Sequence, residues 1–386
     1  KPLGMRDSFP LINEKKERVR GIGRRFFQSR GFDFIKTPTV EYYETVGKAS
    51  AIPDSSLFKL VDRQGETLVL RPDMTTPIVR VATSKLLKEQ IPLRLAYFAN
   101  VFRAQEHEGG RPAEFEQMGV ELIGDDSVFA DAEMIITASE LVQELGINSY
   151  RLTVGHAGLL QSILTQLTQS DQQVRELRKL LVEKNMVGFE EAVRTFGLSN
   201  EEEQRFIEFI GQASNVQSIQ QLRPFIDETN DSQVTMYSYL SELSSLLENA
   251  GLAKLVTYDL TLTSEMSYYT GMLFEVFASG SGFAIGNGGR YDGLLQEFNS
   301  DVGATGFGLR VDRLLEVMTT TMKREPHTLI FFDPANYVNA VHKAKKLRNQ
   351  GIRTTIQFIG NVEDKEAFQA NFTDVVWLIE GDGNNE

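Results

Sequence analysis

The stretch from Leu93 to Ile123 limits the fold more than any other part of the chain. Two runs rich in β-branched and aromatic residues, Leu93–Arg103 and Glu114–Ile123, flank a ten-residue polar loop, Ala104–Ala113, that holds Gly109, Gly110 and Pro112. This pattern predicts a long β-hairpin. In the second strand a period of two sets Phe115, Gln117, Gly119 and Glu121 on one face and Met118, Val120 and Leu122 on the other. One face is therefore polar although the strand is interior in the sequence. Arg103 and Arg111 are spaced to put two guanidinium groups beside an anion, the fork geometry that phosphate or carboxylate recognition favours. For an isolated hairpin, solvated salt bridges are the commoner use of such residues.

Around the hairpin, Asn13–Arg30 has Val19, Ile22, Gly23, Phe26 and Phe27 at helical spacing, with Gly31 as a stop. Phe34–Val40, Leu57–Val61, Thr67–Leu70 and Leu93–Phe102 read as strands of one sheet, and Pro77–Lys88 and Phe129–Leu145 as helices. Between about 158 and 250 the texture turns to Gln, Glu, Leu and Ser in helical periodicity, which predicts a helical insertion. Residues 155–250 hold seven Lys plus Arg against fourteen Asp plus Glu, a net of −7 that suits RNA poorly. Strands are expected at Thr257–Leu262 and Met272–Ala278, and a Gly-rich run then leads into a helix near Asp312–Thr321. The expected organisation is one domain over 1–322, a linker at Lys323–Pro326, and a small α/β module over 327–386 with strands Thr328–Phe332, Ile352–Phe358 and Val375–Ile379 around helix Ala335–Asn349.

Composition removes whole classes of chemistry. With no Cys in 386 residues, disulfides, thiolate zinc sites, iron–sulfur clusters and Cys nucleophiles are excluded, in keeping with a cytoplasmic protein. Forty Lys plus Arg against 53 Asp plus Glu give −13, which opposes casual binding to nucleic acid or anionic membrane. No apolar run reaches the roughly 18 residues of a spanning helix, and Lys1–Pro10 lacks the hydrophobic stretch of a secretion signal. There is no P-loop, no GxSxG elbow and no complete GxGxxG. The four His residues, 107, 156, 327 and 342, are scattered, so neither a metal nor a cofactor is expected.

Three further clusters are candidates. Arg71-Pro72-Asp73-Met74-Thr75 follows a strand, and its carboxylate and hydroxyl suit either a ligand amine or the cap of the next helix. Tyr268 and Tyr269 precede a strand and suit either a core or a ligand. The Gly-rich segments 286–295 and 303–315 let backbone approach backbone or ligand, and Arg313 follows them in the last helix.

The order of these clusters carries a resemblance. LGMRDSFP at 3–10, RPDMT at 71–75, FRAQEHEGGRPAEFEQMGVELIG at 102–124, SYYTG at 267–271, GGRYDGL at 288–294 and GFGLRVDRLL at 306–315 resemble class II histidyl-tRNA synthetases from Lys1 to about Met322. The resemblance implies an α+β fold, an antiparallel sheet flanked by helices, with a homodimer formed through the early helix and strand. It also implies amino-acid contacts from Thr75, Gln117, Glu121, Tyr268 and Tyr269, and phosphate contacts from Arg103, Arg111 and Arg313. Two positions depart. Asp73 stands where the family has Glu, and Ser264-Glu265 stands at the start of the family's Arg-Gly-Leu-Asp-Tyr-Tyr run, so Ser264 replaces the catalytic Arg. Losing such a cation commonly costs about 3 kcal/mol or more in transition-state stabilisation, and Glu265 adds repulsion toward phosphate.

A synthetase-like chain with an amino-acid pocket and no catalytic Arg resembles the regulatory subunits of ATP phosphoribosyltransferase. That resemblance implies no aminoacylation and no tRNA substrate. The implied partner is a short-form catalytic phosphoribosyltransferase subunit in a hetero-octamer, with histidine as effector. The pocket would then read histidine through Asp73 and Glu121 for the amine or imidazole, Tyr269 for the ring and Arg103 for the carboxylate. Whether the sensor is this pocket or a subunit interface stays open at this level. A divergent histidyl-tRNA synthetase and an orphan amino-acid-binding paralogue are the alternatives.

Overall fold

A computed structural model of the chain describes residues 1–104, 112–168, 170–263, 268–318 and 326–380. It divides into two compact units, Lys1–Thr319 and Thr320–Glu386. The first opens with α1 (Pro10–Ser29), where proline at the first turn costs no hydrogen bond. Its apolar stripe buries Val19, Gly23, Phe26 and Phe27. Gly31, at φ 75°, ends the helix, and the Phe32 N–H donates back to Phe27 O at 3.1 Å.

The segment expected as one strand from Phe34 to Val40 is split. Asp33–Phe34 (β1) belongs to the main sheet, whereas Val40–Tyr42 (β2), Lys59–Val61 (β3) and Thr67–Leu70 (β4) form a separate antiparallel sheet in the order β2-β4-β3. The expectation of a single sheet is thus corrected. Pro38 has no N–H for a ladder, and strands of three or four residues pair with their sequence neighbours over a small core of Ile52, Leu57 and Val69. Helix α2 (Thr75–Ser84) follows, shorter than Pro77–Lys88 suggested at its C-terminal end, and a 3-10 turn covers Leu86–Lys88.

The hairpin forms as expected from β5 (Leu93–Phe102) and β6 (Glu114–Ile123), paired antiparallel over their full length. After α3 (Val128–Glu144), the sequence reading missed β7 (Tyr150–His156). Then come the insertion helices α4 (Ala157–Leu167), α5 (Asp171–Val182), α6 (Met186–Thr195), α7 (Asn200–Gln212) and α8 (Asp231–Asn249). They lead to β8 (Val256–Tyr258), which runs parallel to β7, so the insertion provides the crossover that parallel neighbours require. The chain continues through β9 (Met272–Ala278), β10 (Gly286–Arg290), α9 (Asp292–Glu297), β11 (Ala304–Arg310) and α10 (Val311–Val317).

The main sheet has eight strands in the order β1-β5-β6-β11-β10-β9-β7-β8, antiparallel throughout its middle and parallel only at its two edge pairs. Its Gly-rich runs are strands, not connections. A Cβ on Gly288 would lie 2.5 Å from Gly306 O, so glycine survives here because no side chain fits, and strand propensity misreads the segment. One face of the sheet packs on α1, α3 and the insertion helices, with Met118, Val120 and Leu122 pointing into that core. The other face carries Leu95, Tyr97, Val101 and Phe115 against Ile78 of α2 and Leu294 and Leu295 of α9. The candidate site residues Gln117 and Glu121 lie on this second face.

The second unit is a parallel three-stranded sheet of β12 (His327–Phe332), β13 (Arg353–Phe358) and β14 (Asp374–Leu378) in the order β13-β12-β14. Helix α11 (Tyr337–Asn349) packs on it through Ala340 and Ala344, and a short α12 (Lys365–Gln369) links β13 to β14. Lys343, Lys345 and Lys346 are exposed.

Candidate functional site

Strand β6 brings the site together. Its alternation points Gln117 and Glu121 away from the α1 core and into a recess on the second face, walled by Asp73 and Thr75 at the start of α2, Tyr97 of β5, and Tyr268, Tyr269 and Tyr291. Asn287 of β10 and Gly306 and Gly308 of β11 complete the lining. Six of the seven residues proposed for a histidine-like pocket therefore meet: Asp73, Thr75, Gln117, Glu121, Tyr268 and Tyr269.

Glu121 is 1 % exposed. Its Oε1 accepts from Thr75 Oγ1 at 2.9 Å and its Oε2 from the Tyr291 hydroxyl. Burial pushes its carboxyl from 4.5 up to about 8, against the pull of those two hydroxyls, and the nearby Asp73 pushes the same way. A carboxyl held only by neutral donors stays protonated near neutrality. Asp73 takes the commoner of its two roles, accepting from Thr76 N at 2.8 Å and Thr76 Oγ1 at 3.2 Å to cap α2. Burial raises its pKa as well, with Thr76 and Arg103 opposing.

Burial likewise drives the Tyr97, Tyr268 and Tyr291 hydroxyls well above their ordinary value, so they act as neutral donors. Tyr268 packs edge-on against Tyr269 at 5.0 Å and Tyr291 at 5.9 Å. Gln117 Oε1 is buried and has no hydrogen-bond partner among the described residues. An orphaned acceptor beside a protonated carboxyl is a site prepared for a donor-rich cation. The free space is only about 10 Å³, room for about one water.

The arginines are distributed differently from expectation. Arg103 does not line the recess. Its Nε donates to Pro72 O at 3.1 Å and its guanidinium lies 5.5 Å from the Phe115 ring, close enough to act on Asp73. Arg313 donates to Ala284 O and lies 5.1 Å from the Phe283 ring, both on the β9–β10 connection. Arg111, Ser264 and Glu265 lie outside the described residues, as do most of the hairpin loop, most of the expected linker and the acidic end 381–386. His156 is a helix cap, its Nδ1 accepting from Leu159 N at 3.1 Å, and burial lowers its pKa to about 4.

Sequence reading missed Tyr97, Asn287 and Tyr291 as lining residues. Tyr97 was accessible through the period of two in β5, which puts it on the face of Leu93 and Leu95. The glycines opposite are spatially obligatory. A Cβ on Gly306 would stand 2.1 Å from Glu121 Oε2 and 2.5 Å from Val120 O. Gly306→Ala is therefore expected to cost about 1–3 kcal/mol by overpacking. Urea denaturation checks it, and an unchanged midpoint would mean that Glu121 has room to move.

An eight-stranded sheet with this motif order and a polar recess on one face defines a histidyl-tRNA synthetase-like protein. The family model described as histidyl-tRNA synthetase matches residues 4–314, and one described as histidyl-tRNA synthetase HisZ, C-terminal domain, matches 329–380. The chain is 58 % identical over 378 residues, 97 % of each chain, to the ATP phosphoribosyltransferase regulatory subunit of Lysinibacillus sphaericus. A crystal structure described as an ATP phosphoribosyltransferase regulatory subunit/histidyl-tRNA synthetase from Bacillus halodurans superposes with TM-score 0.90 at 39 % identity, covering 98 % of both chains. Histidyl-tRNA synthetase from Nostoc sp. shares the fold, with TM-score 0.76 at 20 % identity over 96 % of this chain and 88 % of that one. The chain belongs to the ATP phosphoribosyltransferase regulatory subunit family. Among the described residues no helix is long and apolar enough to cross a membrane, and no group of His, Asp or Glu is arranged to hold a metal ion.

Proposed function

We propose that this chain is a cytoplasmic, non-catalytic subunit that assembles as a homodimer within a hetero-octamer with a short-form phosphoribosyltransferase, activates it, and carries histidine feedback through the Glu121 recess. The observation that supports this most is the buried Glu121 carboxyl with only hydroxyl partners, beside the unpartnered Gln117 Oε1. Histidine supplies what the recess lacks: an ammonium for the carboxyl and a ring for the tyrosines. Asp73, Thr75, Gln117, Tyr268 and Tyr269 are the residues assigned to it, with Arg103 near enough for the carboxylate once the recess opens. Arg111 and Arg313 are the candidate anion contacts. Feedback requires histidine to bind active and inhibited assemblies unequally, since equal affinity shifts no equilibrium.

The test mixes the purified chain with a short catalytic subunit. Ribosyl transfer is expected to rise on mixing and to fall again with histidine, while the chain alone makes no histidyl adenylate. Histidine-dependent pyrophosphate exchange by the isolated chain at a synthetase's rate would overturn the proposal. Ser264→Arg is not expected to restore charging by itself.

A further inference from the structure

Strand β11 faces the recess with three residues in alternation, Gly306, Gly308 and Arg310, set opposite Glu121, Gly119 and Gln117 of β6. The first two are empty of side chain for a reason already given at Gly306; at Gly308 a Cβ would stand 2.6 Å from Gln117 Nε2. The third position on that face is filled by one of the largest side chains available. The Arg310 guanidinium lies 3.7 Å from the centroid of the Phe115 ring, and its Nη2 is 3.0 Å from Asp312 Oδ2. Its side chain is only 15 % exposed.

Phe115 shares its face of β6 with Gln117 and Glu121, two residues along the strand from Gln117 and just beyond the residues that line the recess. An aromatic face beside a polar pocket, with cations close by, has the chemistry to hold a flat heterocycle that carries an anionic tail. Here that face is taken by the protein itself, since guanidinium planes stack well on aromatic rings and Asp312 fixes this one in place. We propose that Arg310 is a specificity residue that closes the Phe115 face to purine nucleotides and leaves the recess to an amino acid alone. The inference rests on the pocket reading only for the neighbouring amino-acid site. It is independent of Ser264, because it concerns access for the base and not charge at the phosphate.

The test is binding, measured on the full chain with a fluorescent adenine nucleotide and competed with unlabelled ATP. Wild type is expected to bind weakly or not at all, and Arg310→Ala to bind on the order of tenfold tighter or more. Adding Phe115→Leu to that variant should erase the gain, which a loss of surface charge alone would not explain. If Arg310→Ala does not fold, Asp312→Asn, which unpins the guanidinium but keeps it, should give a smaller gain. No gain in whichever variant folds, or wild-type binding as tight as the variant's, overturns the proposal. Histidine titrated into the same samples separates the two readings. A nucleotide gain without histidine heat leaves Arg310's role standing and removes the amino-acid assignment, whereas histidine heat without a nucleotide gain does the reverse.

Discussion

Glu121→Gln is expected to flatten the pH dependence of folding stability and to abolish most histidine binding in the recess. In the native chain the Glu121 carboxyl keeps its proton up to about 8, whereas in the unfolded chain it is lost near 4.5. Between those values the native state holds one more proton than the unfolded state, so stability falls as pH rises through that window and levels off above it. The fall attributable to this group is on the order of 3–5 kcal/mol. Asp73, also raised by burial, adds a slope of the same sign but remains in the variant, so the difference between the two proteins isolates Glu121. Urea denaturation at about pH 5 and about pH 8 should show the two proteins alike in acid and the Gln variant more stable in base. Histidine binding reads the same group differently. The incoming ammonium replaces the proton, so wild type releases up to one proton on binding near neutrality and the variant releases none. Loss of a charge-assisted hydrogen bond worth about 1.5–3 kcal/mol predicts roughly 10- to 100-fold weaker binding. Calorimetry in buffers of different ionisation enthalpy measures both quantities. Equal stability slopes in the two proteins would mean that Glu121 is already ionised in the free protein, and unchanged histidine affinity would place the histidine sensor outside the recess.

The hairpin was legible because its period of two is a direct statement about faces, and Gln117 and Glu121 fell where that period put them. Motif order then placed Asp73, Thr75, Tyr268 and Tyr269 around them, although these come from segments whose mutual distance no local pattern encodes. What stayed hidden has specific causes. The glycines of β10 and β11 have low strand propensity, yet the strands pair so closely that a Cβ added at Gly286, Gly288 or Gly306, as at Gly119 of β6, would clash with backbone on an adjoining strand. The small sheet of β2, β3 and β4 was invisible because the rule that finds strands says nothing about which strands share a sheet. Arg310 was passed over in favour of Arg313 because both sit in GFGLRVDRLL. Only the β11 register shows that Arg310 follows Gly306 and Gly308 on the face of the recess, while Arg313 is held by Ala284. Ser264 bears on charge at the phosphate, whereas Arg310, stacked on Phe115, would act on access for the base.

The GGRYDGL segment shows how the recess is anchored, and from it comes a stability effect as large as that expected for Glu121. Tyr291 holds Glu121, and its neighbour Arg290 turns the opposite way, its Nε donating to Asp131 Oδ2 at 2.8 Å. Asp131 of α3 is fully buried, the Arg290 side chain is 8 % exposed, and the Tyr239 hydroxyl of α8 donates to the same carboxylate oxygen. The remaining guanidinium bonds go to Asp125 O and Ser127 O at 3.2 Å and to the half-exposed Asp292 at 3.3 Å. One anion thus ties the sheet, α3 and the insertion together. Asp131→Asn keeps the shape but leaves Arg290 without its buried counter-charge, which should cost about 3–5 kcal/mol. Removing only the third partner, with Tyr239→Phe, loses one hydrogen bond and should cost about 1–2 kcal/mol. The double change Asp131→Leu with Arg290→Met removes both charges, and an apolar pair of similar volume should recover much of the loss. Because Arg290 and Tyr291 are consecutive, Asp131→Asn should also weaken histidine binding without touching the recess, whereas a purely local effect would lower the urea midpoint and leave the affinity of the folded protein unchanged. Recovery of stability without recovery of affinity in the double variant would place the coupling in the charge pair. A loss below about 1 kcal/mol in Asp131→Asn would mean instead that Asp292 already neutralises Arg290, and the anchor would then lie in the backbone of β10 and not in its buried acid.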